Sequence, residues 1–295
     1  MAGVSDAAFR GMLAEYGKPD VVWTEMISLA GLKIRGEKEF ENEMKFSAEE
    51  KPIVFQFFGS EPAEFCPCGK LAKSRGADGV DINMGCPDKG VEKQGAGACI
   101  IKFPALAKEI IAAAKEGSEG LPVSVKTRLG YASAKEMENW MTALAETKPS
   151  AITVHGRTRA DKRKGKANWD GIRQAGEIIS SISPETIILG NGDVRSKDEG
   201  EKLAKETGVD GYMVGRALIG NPWFFSGAKP SKKERTSAAK RHIEIFEELL
   251  QGAEPFDMIK KHLAGYISGF LGAKNLRAKL MGARSAKEAL MMLNS

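Results

Sequence analysis

Short apolar runs rich in β-branched residues recur along the chain, and most are followed by a stretch in which apolar side chains return every three or four positions. The runs are VVWTEM (21–26), IVFQFF (53–58), GVDINM (79–84), VSVKTR (123–128), AITVHG (151–156), TIILGN (186–191) and GYMVGR (211–216). Most are apolar over four to six residues, as expected of parallel strands covered on both faces. Between them, PALAKEIIAAAKEG and AKEMENWMTALAET carry helical spacing. Strand and helix alternating at this interval predict a parallel sheet.

Seven strands are visible where a closed (β/α)8 barrel needs eight. The opening AGVSDAAFRGMLAEYG reads as a loop and a helix with Ser5 or Asp6 as N-cap. It is the second half of a βα unit whose strand would precede residue 1, so the expectation is a TIM barrel with a truncated first strand. A doubly wound open sheet is the competing α/β architecture, but its G-x-G-x-x-G after the first strand is missing. Polar side chains collect at the strand C-termini: Glu25, Gln56, Asn83, Lys126 and Arg128, His155 and Arg157, Asn191 and Asp193, and Arg216. That is the face on which such barrels build their sites.

After ALIGNPWFF, the stretch SGAKPSKKERT (226–236) reads as a linker. From Ser237 on, four helical segments follow, with Gly252, Gly272 and Gly282 as C-cap-like stops. The expected organisation is a barrel over 1–225, a linker over 226–236 and a small helical domain over 237–295. Pro67, inside the helix-like EPAEFCPCGKLAKSRG, is expected to break the helix's interior hydrogen bonding.

Charge sharpens this division. The chain carries a net +5, yet from Ser226 onward thirteen Lys or Arg stand against seven Asp or Glu. Such asymmetry suits a module that binds a polyanion, although solvated helix faces would also produce it. No run approaches the roughly 20 apolar residues of a bilayer span, and MAGVSDAAFR lacks the pattern of a secretory signal. A cytoplasmic protein without membrane contact is expected. Four cysteines make no disulfide framework, and the lone C-x-C of Cys66 and Cys68 lacks the second ligand pair of a metal site, so no metal is expected. Nothing fixes an oligomeric state; a monomer is the expectation.

Three motifs can carry chemistry. GNGDV (190–194) and VGRALIGNPW (214–223) follow the last two strands, where barrel loops bind phosphate through backbone N–H groups. NMGCP (83–87) places Cys86 between Gly85, which lets the chain turn, and the stiffening Pro87. No His is near it in sequence, and an ordinary thiol of pKa about 8.5 is mostly protonated at pH 7, which suits a general acid. A buried packing cysteine is the alternative, and Cys99 is read as one. Lys126 with Arg128, and His155 with Arg157, come from VKTR and VHGRTR; a Lys in a barrel mouth can stabilise an anion. The loop after His155 holds six Lys or Arg against one Asp between Arg157 and Lys166, so it either attracts nucleic acid or is simply solvated.

NMGCP, VKTR, VHGRT and NGD in this order resemble the tRNA-dihydrouridine synthase family, and the resemblance extends over nearly the whole chain. MAGVSD, TEMISLAGL, PIVFQFFGS, DGYMVGRALIGNPW and HLAGYISGFLGAKNLRAKLM are also similar to family blocks, and the helical tail looks closest to the bacterial B-type branch. The resemblance implies bound FMN, NADPH as reductant and tRNA as partner. It implies Cys86 as proton donor to carbon-5 of uracil. Gln56, Lys126 and His155 then fall at the flavin, and Asn191, Gly192, Asp193, Gly215 and Arg216 at its phosphate. Asn83, Arg128 and Arg157 fall to the substrate, and the tail to tRNA binding. Two rival readings stand beside it: an FMN barrel reductase of a free small molecule, similar to dihydroorotate dehydrogenase, and a non-catalytic RNA-binding protein.

Overall fold

A computed structural model describes residues 1–162 and 164–294. One sheet contains strands β1 (Val22–Ser28), β2 (Ile53–Phe58), β3 (Gly79–Asn83), β4 (Val123–Arg128), β5 (Ala151–His155), β6 (Ile187–Asn191) and β7 (Gly211–Met213). Their spatial order is their chain order, and every ladder from β2 to β7 is parallel. A doubly wound sheet needs a point where that order reverses, and none occurs here. Right-handed crossovers without a reversal set every connecting helix on the same side of the sheet, which is the (β/α) barrel arrangement the pattern predicts. The last strand is shorter than its sequence suggests: it ends at Met213, and Gly215 leads into the 3-10 turn Arg216–Leu218.

By contacts the chain forms two compact units, one of residues 26–40 and 53–214, the other of residues 1–25, 41–52 and 215–295. In the first, the helices Pro62–Ser74 and Pro104–Ser118 meet backbone to backbone. A Cβ on Gly117 would lie 1.9 Å from the Cys66 carbonyl oxygen, and one on Gly69 would lie 2.5 Å from the Gly117 carbonyl carbon. Here the structure corrects the expectation for Pro67, since the helix Pro62–Ser74 runs through it. A single proline so near the N-terminus deletes only one backbone donor, the partner of the Ala63 carbonyl, and packing outweighs that loss. Cys68 is buried, donates to the Phe65 carbonyl at 3.0 Å, and burial pushes its thiol pKa upward. Cys99 is buried as well.

In the second unit the helix Ala7–Tyr16 starts at Asp6, whose carboxylate accepts from Phe9 N at 2.8 Å. Its apolar face, with Phe9, Met12 and Leu13, joins Ile243 and Phe246 of the helix Lys232–Leu250 in one core cluster. Arg10, fully buried, pairs with Glu50 at 2.7 Å and donates to the Ser5 carbonyl. The helix Lys232–Leu250 begins within the stretch that reads as a linker, because Ser231 and Glu234 form a capping box there. The helices Lys260–Tyr266, Ala273–Gly282 and Ala286–Asn294 follow. Gly272, at φ +84°, is the N-cap of one of them rather than a C-terminal stop, and Gly282 is a helix's last residue. No described helix is long and apolar enough to cross a membrane.

Candidate functional site

Alternation along the strands decides which side chains gather. In register, Gln56 lies beside Asp81 and Asp81 beside Ser124; Asn83 lies beside Lys126, Arg128 beside His155, and His155 beside Asn191. All of these share one face of the sheet. The opposite face carries Phe55, Phe57, Val80, Ile82, Val123, Val125, Ile152 and Val154, all buried. The strands are thus apolar toward the helices and polar on the other face, a finer pattern than uniformly apolar strands.

The polar face is a connected network. Asp81, fully buried, accepts from Ser124 Oγ at 2.6 Å and from Gln56 Nε2 at 2.8 Å. Gln56 Oε1 accepts from Asn83 Nδ2 at 3.0 Å. Asn83 Oδ1 then accepts from Gly85 N at 3.1 Å and Cys86 N at 2.9 Å. Arg128 Nε donates to the Gly85 carbonyl at 2.6 Å, and Ala98 N donates to the Cys86 carbonyl at 2.9 Å. Gly97 makes the last approach possible: it sits at φ +62°, and a Cβ there would lie 2.7 Å from the Cys86 oxygen. The turn bearing Cys86 is therefore fixed from three directions. Burial pushes the Cys86 thiol above its ordinary pKa; a backbone hydrogen bond at Asp88 and the charges of Arg128 and Lys126 oppose the rise, and the charge of the Asp88 carboxylate adds to it. The sulfur stays protonated at neutral pH.

Lys126, half-buried, donates to Asn191 Oδ1 at 3.2 Å. Burial and the neighbouring Arg128 lower its pKa to about 8. Burial together with Lys126, Arg128 and Arg157 lowers the His155 pKa to about 2, so its imidazole is neutral. Asn191 Nδ2 donates to the Met213 carbonyl at 2.8 Å. Gly192, at φ +130°, would bring a Cβ within 2.7 Å of Ala167 and 3.1 Å of His155, so only glycine lets the backbone run this close. Trp169 Nε1 holds the Gly192 carbonyl at 3.0 Å. The Asp193 carboxylate accepts from Arg157 Nη2 at 2.6 Å and Ala167 N at 2.9 Å.

The residues read from the sequence fall into three groups. Gln56, Asn83, Cys86, Lys126, His155, Asn191 and Gly192 come together on this face. Arg128 and Arg157, only 6% and 4% exposed, donate to protein acceptors: Arg128 to the Gly85, Thr158 and Lys162 carbonyls, Arg157 to Asp193 and the Lys164 and Gly165 carbonyls. They brace the loops around the site. Gly215 and Arg216 open the other compact unit. In the basic loop, Arg159 pairs with Glu92 of the short helix Lys89–Lys93 and lies over the Tyr131 ring at 5.0 Å. Lys162, Lys164 and Lys166 are exposed, and Arg163 lies outside the described residues. Asp81 and Ser124 are members of the network that the pattern did not reveal, although an Asp within the apolar run GVDIN was the available signal. Among the described residues, no three His, Cys, Asp or Glu are grouped to hold a metal ion.

Fold and site define a parallel-strand barrel protein with a rigid thiol-bearing turn beside a cation and a neutral imidazole. Comparison with known proteins agrees. A family model described as dihydrouridine synthase matches residues 1–295. A protein of Bacillus subtilis (strain 168) named "Probable tRNA-dihydrouridine synthase 2" is 35% identical over 298 residues, covering 100% of this chain and 91% of that protein. A Staphylococcus epidermidis "Probable tRNA-dihydrouridine synthase" is 34% identical over 299 residues, again covering 100% and 91%. Among solved structures, a flavocytochrome b2 variant with sulfite bound aligns at a TM-score of 0.47 and 16% identity, over 96% of this chain and 62% of that one. The chain belongs to the dihydrouridine synthase family.

Proposed function

We propose that the protein reduces uridine in tRNA to 5,6-dihydrouridine, with bound FMN and with NADPH as the reductant. The observation that carries the reading is the Cys86 turn: a thiol fixed by Asn83, Arg128 and Ala98 and kept protonated by burial. Side chains carry no hydride, so the chemistry that bound FMN would supply is hydride donation at carbon-6 of the uracil ring. Cys86 Sγ gives its proton to carbon-5, the carbon–carbon double bond becomes single, and the thiolate regains a proton from solvent. The target base must leave its stack to reach a site of this kind.

The donor set fits the cofactor. Lys126 has a neutral hydrogen-bond acceptor and a lowered pKa, so an anionic flavin would restore its charge. Neutral His155 accepts from Arg157 Nη1 on Nε2 at 3.3 Å, so its proton lies on Nδ1, which can donate to the cofactor. Gln56, whose amide donates to Asp81 and accepts from Asn83, would meet the flavin's polar edge while holding that network. The close backbone at Gly192, with Asn191, would hold its phosphate, and Gly215 and Arg216, which the family resemblance assigns to the same phosphate, belong to the other compact unit; Asp193, whose carboxylate faces Arg157, would contribute only its backbone. Asn83 stands near the base through the turn it shapes, and Arg128 and Arg157 act as positioning residues for the two loops.

Absorbance of the purified protein, followed by addition of NADPH and unmodified tRNA, tests the reading. Dihydrouridine should form from tRNA and not from free uridine, which separates it from a small-molecule reductase. Cys86→Ala should keep the flavin bands and lose about 100-fold or more of turnover; undiminished turnover would refute the acid assignment.

A further inference from the structure

The helical tail presents a surface that the proposed chemistry does not use. Loop 268–272 (SGFLG) turns between two left-handed glycines, Gly269 at φ +77° and Gly272 at φ +84°. This backbone projects Leu271, which is 98% exposed, while Phe270 is half-buried against the helical core. Lys232 Nζ lies 5.2 Å from the Phe270 ring centroid. Lys232, Phe270, Leu271, Asn275 and Lys279 line a cleft of about 350 Å³. A second cleft of about 380 Å³ includes Ser268 at the start of the same loop, with Lys229 and Arg235. Neither cleft has an Asp or Glu in its lining.

Leu271 buries almost none of its surface in the fold, and the linings of the two clefts, with two cations each and no carboxylate, repel basic partners. An aromatic edge and an aliphatic tip beside ammonium groups suit a nucleotide, whose base is apolar on its faces and whose phosphate is anionic. The Asn275 amide offers both a donor and an acceptor to a base edge. The geometry points to a seat for one unstacked base of the bound tRNA against Leu271 and Phe270, with Lys232 and Lys279 on the flanking phosphates. The seat rests on the tRNA reading above. It extends that reading from general phosphate attraction to contact with a single displaced base, remote in sequence from the reacting uridine's site.

Affinity for an unmodified tRNA transcript, read by fluorescence anisotropy at several salt concentrations, tests it. Leu271→Ser packs against nothing in the fold and should weaken binding roughly tenfold with the salt slope unchanged. Phe270→Trp should retain affinity. The double variant Lys232→Gln, Lys279→Gln should reduce the steepness of log affinity against log salt by about 1.4 or more. Leu271→Ser and the double lysine variant should raise KM for tRNA and leave kcat alone, and Phe270→Trp should change neither. Wild-type affinity in Leu271→Ser overturns the seat, and a loss confined to the double lysine variant then leaves phosphate attraction alone. The seat is also overturned by a loss in Leu271→Ser of binding to phosphatidylglycerol-containing vesicles with tRNA affinity intact, which would make the tip a membrane contact. If the unaltered protein binds tRNA but forms no dihydrouridine, the proposed activity fails while the binding series still decides the seat.

Discussion

Lys126 shows how one residue can be prepared for a ligand. Its ammonium group is half-buried, faces a neutral amide oxygen and loses its proton near pH 8. Below that pH the cation is present and an anionic partner gains by it; above it the attraction fades. FMN affinity should therefore be steady up to about pH 7.5 and fall by as much as about tenfold per pH unit above 8. In Lys126→Met it should be weak and flat across the same range, as followed by quenching of flavin fluorescence. An unaltered protein that binds FMN equally at pH 7 and 9.5 would assign the anion to another group. The residue types at the site were legible in the sequence because each stands in the C-terminal half of a strand or in the turn just after it. Their partners were less so: that Arg128 and Arg157 would turn inward to carbonyls depends on loops whose path no periodicity encodes.

At the scale of elements, strand positions followed from apolar runs, and the barrel followed from their unbroken alternation with helices. Boundaries were harder to read where a local cap outweighed composition. SGAKPSKKERT looks like a linker by content, yet Ser231 and Glu234 supply the paired hydrogen bonds that start a helix at Lys232. Pro67 likewise looks like a breaker, but close packing of its helix holds the element together. That packing leaves no room at Gly117, where a Cβ would meet the Cys66 oxygen at 1.9 Å. Gly117→Ala should lower unfolding free energy by about 2 kcal/mol or more, measured by urea denaturation. Gly282→Ala, at a helix end with open space around it, is the control and should be neutral or mildly stabilising. Equal stability of the two variants would show that the helices can separate without cost.

At the scale of the whole molecule, the helical unit is assembled from both ends of the chain. Residues 1–25 group with residues 215–295, and Phe9, Met12 and Leu13 share one core with Ile243, Phe246, Leu263 and Leu280. A chain cut after Phe225 would leave that face of the helix Ala7–Tyr16 uncovered. It should aggregate, or bind the dye ANS strongly, where the full chain does not; a soluble, dye-silent fragment would mean that the first helix finds other cover. The same arrangement sets a timetable during synthesis. The helix Ala7–Tyr16 is synthesised roughly two hundred residues before the helices that shelter it, the first of which begins at Lys232. At an elongation rate of about 5–20 residues per second, its apolar stripe waits on the order of ten seconds or more, an interval in which a chaperone or a neighbouring nascent chain can reach it first.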